Sequence, residues 1–175
     1  MKRLLTLMLW ALCTGLAISK PANFTFTPGK SFGPVHVGQS LRSSLAALKG
    51  WTWNIDQEGY ASGRYYTFPK EQPGVMVQFI LGFNPENQLR DVSLYDRSCV
   101  MQGHPEIHLG CTRKQVEAAL GPCKDGTNEA CDYRDLGIQF NFASGLPPRA
   151  ELPYAVPKFA PGQCDLIMIY RPGYH

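Results

Sequence analysis

One short stretch of the chain concentrates side chains that could hold a metal ion. It contains His104, Glu106 and His108, and Cys111 follows three positions later. Imidazole and thiolate are common zinc ligands, and two histidines four positions apart share one face when they lie on a helix. Pro105 disfavours a regular helix through His104, and a thiol held in a disulfide cannot bind metal. We therefore expect no metal site and no other cofactor, with a metal-binding periplasmic protein as the alternative.

Groups suited to catalysis are scattered along the chain. No phosphate-binding glycine loop occurs, and the cysteines are better explained as disulfide partners than as nucleophiles. The carboxylates show no pairing in the sequence; those considered are Glu58, Asp91, Glu106 and Asp165. Glycoside hydrolysis needs two carboxyl groups at a set distance in space, which a sequence does not give. We predict that the protein is not an enzyme, and a small secreted hydrolase is the alternative.

Residues 1–19 predict an export signal. Lys2 and Arg3 precede an apolar run, and small residues at Ala17 and Ser19 favour cleavage by a signal peptidase before Lys20. The run is shorter than the about 20 apolar residues that span a bilayer, so we expect no stable membrane span. The mature protein would then be periplasmic or secreted.

The charge balance disfavours a nucleic-acid partner. The chain has 17 basic and 14 acidic residues, and loss of Lys2 and Arg3 with the signal leaves 15 against 14, a balance of +1. Nucleic-acid-binding domains typically show a basic patch with interleaved aromatic residues. The sequence shows no such cluster, so we expect no nucleic acid.

The cysteines fit an oxidising compartment. Five of the six follow the export signal, and most cysteines pair outside the cytoplasm. Cys123 and Cys131 flank a short polar loop, so we rank this disulfide first. Cys99 and Cys111 flank the middle of the chain and are ranked second, which leaves Cys164 free.

A helix is predicted between Thr112 and Gly121. The hydroxyl of Thr112 can cap its first turn, and Val116, Ala119 and Leu120 fall on one helical face. Gly121 tolerates the left-handed conformation that ends a helix, and the proline after it cannot continue one. The segment is therefore closed within about three turns.

An earlier stretch repeats this pattern. Gly38 corresponds to Gly110 at an interval of 72 positions (38 to 110), and Tyr95 corresponds to Tyr170 at 75 positions (95 to 170). Repetition at a nearly fixed interval indicates a duplicated supersecondary unit. We predict an α+β fold of two tandem repeats, each a short helical segment packed on an antiparallel β-sheet. Chance similarity of two common patterns is the alternative.

The repeat pattern divides the chain into segments. Residues 20–34 would be an extended lead-in, residues 35–98 the first repeat and residues 104–175 the second. An insertion at residues 143–163 of the second repeat holds five prolines, so it cannot form an interior strand. We predict that it is a binding loop or a mobile flap.

Alternation of bulky and polar residues predicts strands over residues 51–55, 63–68, 74–83, 89–95, 131–134, 137–142 and 164–171. If Phe79, Val92, Phe140 and Ile167 pack against the helices, their neighbours lie on the other side of the sheet, here called the outer face. Tyrosine, methionine and amide side chains together suit protein binding, although a solvated sheet can carry them too. The predicted partner-binding residues are Met76, Gln78, Ser93, Tyr95, Gln139, Asn141, Met168 and Tyr170.

Residues 109–122, Leu-Gly-Cys-Thr-Arg-Lys-Gln-Val-Glu-Ala-Ala-Leu-Gly-Pro, resemble the motif of small outer-membrane lipoproteins of the β-barrel assembly machinery. Tandem copies of such a unit resemble the β-lactamase inhibitory protein family. The resemblance implies helices packed on an antiparallel sheet, protein binding without catalysis, and docking through a concave sheet surface that would correspond to the outer face. The chain departs from the lipoproteins at Cys111, where they commonly have methionine, and in its proline-rich insertion.

These expectations combine into one functional prediction. We expect an exported, non-enzymatic module that docks a protein partner through its outer face and the loop at residues 146–163. Such a module would inhibit an extracytoplasmic enzyme or assist envelope assembly.

Overall fold

The computed structural model describes residues 24–56, 64–69, 76–144 and 157–173. These residues form two α-helices and thirteen β-strands, so the predicted mixed α+β class is confirmed and strands predominate. In chain order the elements are β1 (Thr25–Thr27), β2 (Ser31–Phe32), β3 (Val35–His36), α1 (Leu41–Ala47), β4 (Asn54–Asp56), β5 (Arg64–Phe68), β6 (Phe79–Phe83), β7 (Leu89–Leu94), β8 (Val100–Met101), β9 (His104–His108), α2 (Arg113–Leu120), β10 (Asp125–Thr127), β11 (Ala130–Tyr133), β12 (Ile138–Phe142) and β13 (Cys164–Tyr170).

The strands form two sheets. The larger has eight antiparallel strands in the order β10-β11-β12-β13-β7-β6-β5-β4, and the smaller has five in the order β3-β2-β1-β8-β9. In the larger sheet, the four strands that follow α2 fill one half and the four that follow α1 fill the other. The halves meet where β13 pairs with β7. The outer face is therefore one continuous surface across both halves.

The inner face of the larger sheet is the core of the molecule. Along β12 every second residue is buried, as the alternation predicts, whereas in β6 every residue is buried on both faces. The buried residues predicted for the inner face are Val77, Phe79, Val92, Leu94, Ile138, Phe140, Ile167 and Ile169. The smaller sheet and the loop after α1 pack on Phe79, whose ring centroid lies 4.9 Å from that of Phe32 and 5.2 Å from that of Trp51. Burying one such side chain stabilises the fold by about 1.5–3 kcal/mol.

Each helix begins at a polar cap residue. The hydroxyl of Thr112 accepts a bond from the Gln115 N–H, and the Gln115 side chain accepts one from the Thr112 N–H at 2.8 Å, which completes a capping box. Ser40 caps α1 through the N–H of Ser43, and its hydroxyl donates to the Ser43 hydroxyl at 3.0 Å, whereas a capping box is formed only at α2 among the described helices. The predicted helix after Thr112 is confirmed, and it ends at Gly121, where φ is 87°.

Two segments predicted to be irregular contain strands. The described part of the lead-in, residues 24–34, forms the β1–β2 hairpin, and Phe26 and Phe32 are completely buried. The polar loop between Cys123 and Cys131 contains β10, which pairs with β11. In both places glycine and polar residues suggested a loop, but pairing with a neighbouring strand satisfies the backbone groups.

Strand boundaries also differ from the predicted ones. The strand expected at residues 51–55 begins only at Asn54, because Trp51 turns into the core to pack on Phe79. The strand expected at residues 74–83 is regular from Phe79 onward, and Met76 makes only an isolated bridge. The export signal and residues 145–156 of the insertion lie outside the described residues. Among the residues that are described, no helix is long and apolar enough to span a bilayer.

Candidate functional site on the outer face

The strand register brings the predicted partner-binding residues onto one side of the larger sheet. Ser93, Met168 and Gln139 are direct cross-strand neighbours on β7, β13 and β12. The Gln139 amide donates to the Asn141 side chain at 2.8 Å. The four side chains therefore form a patch at the centre of the outer face, where the two halves of the sheet meet.

The other predicted residues lie around this patch with different exposure. Met76 is 48% exposed, whereas Gln78 and Tyr170 are buried at 8% and 9% exposure. Tyr95 is half-buried, and its backbone N–H donates to the Gln78 carbonyl at 2.7 Å. Around Gln78 and Tyr170 the outer face is thus less exposed than the sequence predicted. The central patch and Met76 are more exposed than those two residues.

A second set of residues crosses the outer face, and the sequence did not predict that they lie side by side. Tyr65, Gly82, Asp91 and Tyr170 are successive cross-strand neighbours on β5, β6, β7 and β13, and we call them the cross-strand row. Gly82 makes room for its neighbour, because a Cβ atom there would lie 2.6 Å from an Asp91 carboxylate oxygen. A glycine inside an apolar strand was the one sequence signal for this close approach.

A β-bulge places Arg90 beside the cross-strand row. Gly82 pairs with Asp91 and Phe83 with Leu89, so Arg90 is the extra residue of the bulge. Its guanidinium donates to the Asp91 carboxylate and to the Tyr65 hydroxyl, and lies 5.3 Å from the centroid of the Tyr65 ring. Arg90 and Asp91 therefore neutralise each other within the sheet.

Burial governs the protonation of Asp91. Removal from water raises the pKa of this carboxyl, and the hydrogen bond and charge of Arg90 only partly offset that rise.

Tyr170, at the other end of the cross-strand row, also bonds a carboxylate: its hydroxyl donates to Asp132. Burial and that hydrogen bond both raise the pKa of Tyr170, and Asp132 also pairs with Arg134 at 3.2 Å. The charges along the cross-strand row are thus balanced by neighbouring side chains.

Comparison with known proteins gives the fold and no more. The chain is similar to the crystal structure of the uncharacterized protein yfeY from Escherichia coli, with a TM-score of 0.54 and 13% sequence identity. The match covers 83% of this chain and 99% of that one. No protein-family model and no curated protein matches this chain.

The residues considered as metal ligands lie in β9 and beyond it. His104 contacts Glu106 at 3.2 Å, and the ring of His108 bonds the carbonyl of Leu109 at 2.7 Å. Cys111 is buried at 1% exposure. Within the described ranges, no group of three histidine, cysteine or acidic side chains is arranged to hold a metal ion.

A Gly-x-Ser-x-Gly pattern occurs at residues 29–33, although the surrounding structure is unlike that of a serine hydrolase. Ser31 lies in β2, which pairs with both β1 and β3. In hydrolases the serine of this pattern sits on a sharp turn from a strand into a helix. Ser31 therefore lacks the backbone arrangement that exposes a nucleophile.

The predicted Cys123–Cys131 disulfide is confirmed, with Cα atoms 5.8 Å apart. The expected Cys99–Cys111 bridge is not formed in the structure: both are buried free thiols, as is Cys164. Cys99 follows β7 and instead lies beside Asp96, whereas Cys111 lies beside Cys164. Chain spacing alone could not show that β13 returns to Cys111.

Proposed function

We propose that this protein is an exported, non-enzymatic module that binds a protein partner through the outer face of its eight-stranded sheet. The observation that carries the proposal is the central patch of Ser93, Met168, Gln139 and Asn141 at the meeting of the two halves. Its side chains are half-buried, uncharged and able both to bury apolar area and to hydrogen-bond.

The distribution of charge around the patch favours a protein over a polyanion. Among the described residues of this face, Arg90 is paired with Asp91 and Arg134 with Asp132, so both of these positive charges are compensated. A nucleic acid or an anionic membrane would select for unpaired basic residues. An uncharged centre flanked by paired charges is the arrangement expected of a protein interface.

We also propose that the two halves arose from one duplicated unit. Each helix starts after a glycine with positive φ, Gly38 or Gly110, and is followed by four strands of the larger sheet. The resemblance to β-lactamase inhibitory proteins and to β-barrel assembly lipoproteins supplies two partner classes. These are an extracytoplasmic enzyme that the protein inhibits and an envelope assembly complex.

Site-specific photo-crosslinking tests the docking face. A photoreactive residue is placed at Met168 or Gln139, and matched controls carry it at Lys114 and Lys49, which are exposed on or beside the helices. In cell-envelope extract, both outer-face positions should give the same discrete adduct, and excess unmodified protein should abolish it. Equal labelling from all four positions, or none from any, would contradict the proposal.

Titration calorimetry then tests the two partner classes. Purified serine β-lactamase and purified barrel-assembly components are titrated separately into the protein. Met168→Lys should weaken the binding of whichever class binds at least tenfold, because the substitution places a charge in a buried interface. The hydrolase alternative is tested with sugar, peptide and β-lactam substrates. Hydrolysis of any of these substrates by an activity that co-purifies with the protein would overturn the non-enzymatic assignment.

A further inference from the structure

Cys111 and Cys164 face each other at the junction between the loop before α2 and the start of β13. The Gly110 N–H donates to the Cys164 carbonyl at 2.7 Å, and the Cys164 N–H donates to the Cys111 carbonyl at 2.8 Å. One step further along, Thr112 and Gln163 form an antiparallel bridge. This is a β-bulge with a positive-φ glycine as its first residue, in which Gly110 and Cys111 together lie opposite Cys164.

The spacing across such a pair suits a disulfide. The 2.8 Å bond from the Cys164 N–H to the Cys111 carbonyl holds the two backbones together, and hydrogen-bonded antiparallel neighbours have Cα atoms about 5.5 Å apart, inside the span of about 4.4–6.8 Å that a disulfide bridges. The two thiols influence each other: the Cys164 thiol lowers the pKa of Cys111, and burial together with the Cys111 thiol raises the pKa of Cys164. Both are buried, at 1% and 0% exposure, so neither faces an external ligand.

We propose that Cys111 and Cys164 form a second structural disulfide when the protein folds in the presence of a disulfide-bearing oxidant. One cysteine thiolate attacks the oxidant's disulfide and forms a mixed disulfide, with release of one oxidant thiol. The other cysteine attacks the protein sulfur of that mixed disulfide and releases the second oxidant thiol. The two cysteines are oxidised, the oxidant is reduced from a disulfide to two thiols, and two protons pass to those thiols.

The bridge would fasten the end of the proline-rich insertion. Cys164 is the first residue after that segment, and Phe159 of the insertion lies beside the same junction, since a Cβ atom on Gly110 would be 3.7 Å from its ring. The Phe159 ring lies 4.4 Å from the Arg97 guanidinium, which also donates to the Lys158 carbonyl at 2.8 Å. A bond from Cys164 to Cys111 holds this end of the insertion next to α2, whether or not the outer face binds a partner.

Differential alkylation of the refolded full chain tests the bridge. The reduced protein is refolded with oxidised glutathione, free thiols are alkylated in denaturant with iodoacetamide, and the remaining cysteines are reduced and labelled with N-ethylmaleimide. Trypsin releases residues 98–113, which hold Cys99 and Cys111, and residues 159–175, which hold Cys164. Fragmentation of these peptides should find iodoacetamide on Cys99 and N-ethylmaleimide on the other two.

Variants and an unreduced digest complete the test. Without reduction, the peptides 98–113 and 159–175 should appear as one linked species, and Cys99→Ala should not remove it. Cys111→Ala should leave Cys164 open to iodoacetamide. Iodoacetamide on both Cys111 and Cys164 in protein whose Cys123–Cys131 bridge has formed would overturn the proposal, as would a bridge that contains Cys99.

Discussion

The two halves of the molecule join helix to sheet with the same backbone bonds and different side chains. In the first half, the Gly38 N–H donates to the Leu89 carbonyl and the Leu89 N–H donates to the Gln39 carbonyl, both at 2.7 Å. Gly110, Cys111 and Cys164 make the corresponding bonds in the second half, as described above. The φ angles of the two glycines, 84° and 93°, are also alike.

The side chains at these junctions have different structural roles. Leu89 is buried at 1% exposure in the apolar core, and the Gln39 side chain accepts a bond from the His36 N–H at 2.8 Å. Their counterparts Cys164 and Cys111 pack less volume but can react with each other. A positive-φ glycine and strand pairing thus fix the backbone of both junctions. The opposed side chains remain available for packing or for covalent chemistry.

Truncation at the junction should show the largest difference between the halves. Leu89→Ala should lower the free energy of unfolding by about 2–5 kcal/mol, because it leaves a cavity in the core. Cys164→Ala in reduced protein removes only one sulfur atom and should cost about 1 kcal/mol. Urea unfolding of both variants measures the difference. Equal losses would mean that Leu89 and Cys164 contribute equally to the packing of their junctions.

The helix caps should differ by a smaller amount. Gln115→Ala breaks the return bond of the capping box in α2 and should cost about 0.5–1 kcal/mol. Ser43→Ala, at the same cap position of α1, should change stability by less than about 0.5 kcal/mol. The same urea experiment compares them, with Lys114→Ala as an exposed control on α2. An equal or larger cost for Ser43→Ala would contradict the expected difference between the caps.

The smallest expected effect is a difference in pH dependence across the outer face. Because burial raises the pKa of Asp91, the folded state binds its proton more tightly than the unfolded state does. Stability contributed by protonated Asp91 is present below the unfolded pKa of about 3.9 and is lost as pH rises toward the higher folded pKa. In Asp91→Asn, the free energy of unfolding should therefore fall less steeply as pH rises from about 4 towards the folded pKa of Asp91.

Asp165 in the second half provides the comparison for this effect. Burial also raises the pKa of Asp165, but this side chain is less buried than Asp91, so Asp165→Asn should flatten the decline less. Asp135→Asn, at an exposed turn, serves as the control. Unfolding midpoints measured from pH 4 to 7 give the curves. Parallel curves for wild type and Asp91→Asn would refute the role of Asp91.

Local signals in the sequence predicted much of the fold. Thr112 and Gly121 marked both ends of α2 because capping and positive φ depend on neighbouring residues only. Alternation along β12 identified Ile138 and Phe140 as core residues because strand side chains alternate regardless of strand order. The β1 hairpin was missed because glycine and proline around Phe26 suggested a lead-in.

The candidate site was predicted only in part. Met168 and Gln139 were assigned to the outer face from alternation, yet the sequence could not show that β7 and β13 are neighbours. That pairing places Asp91 beside Tyr170 and creates the cross-strand row. Gln78, expected to be open, is buried where its backbone bonds to Phe68 and Tyr95.

Residues close together in the chain were enough to predict the strand faces, the caps at both ends of α2 and the first-ranked Cys123–Cys131 disulfide. The pairing of the strands, which brings Arg90 to Tyr65 and Cys111 to Cys164, became visible only in the folded chain. Such contacts join residues far apart in sequence, and their formation depends on how the whole core packs and not on any local preference.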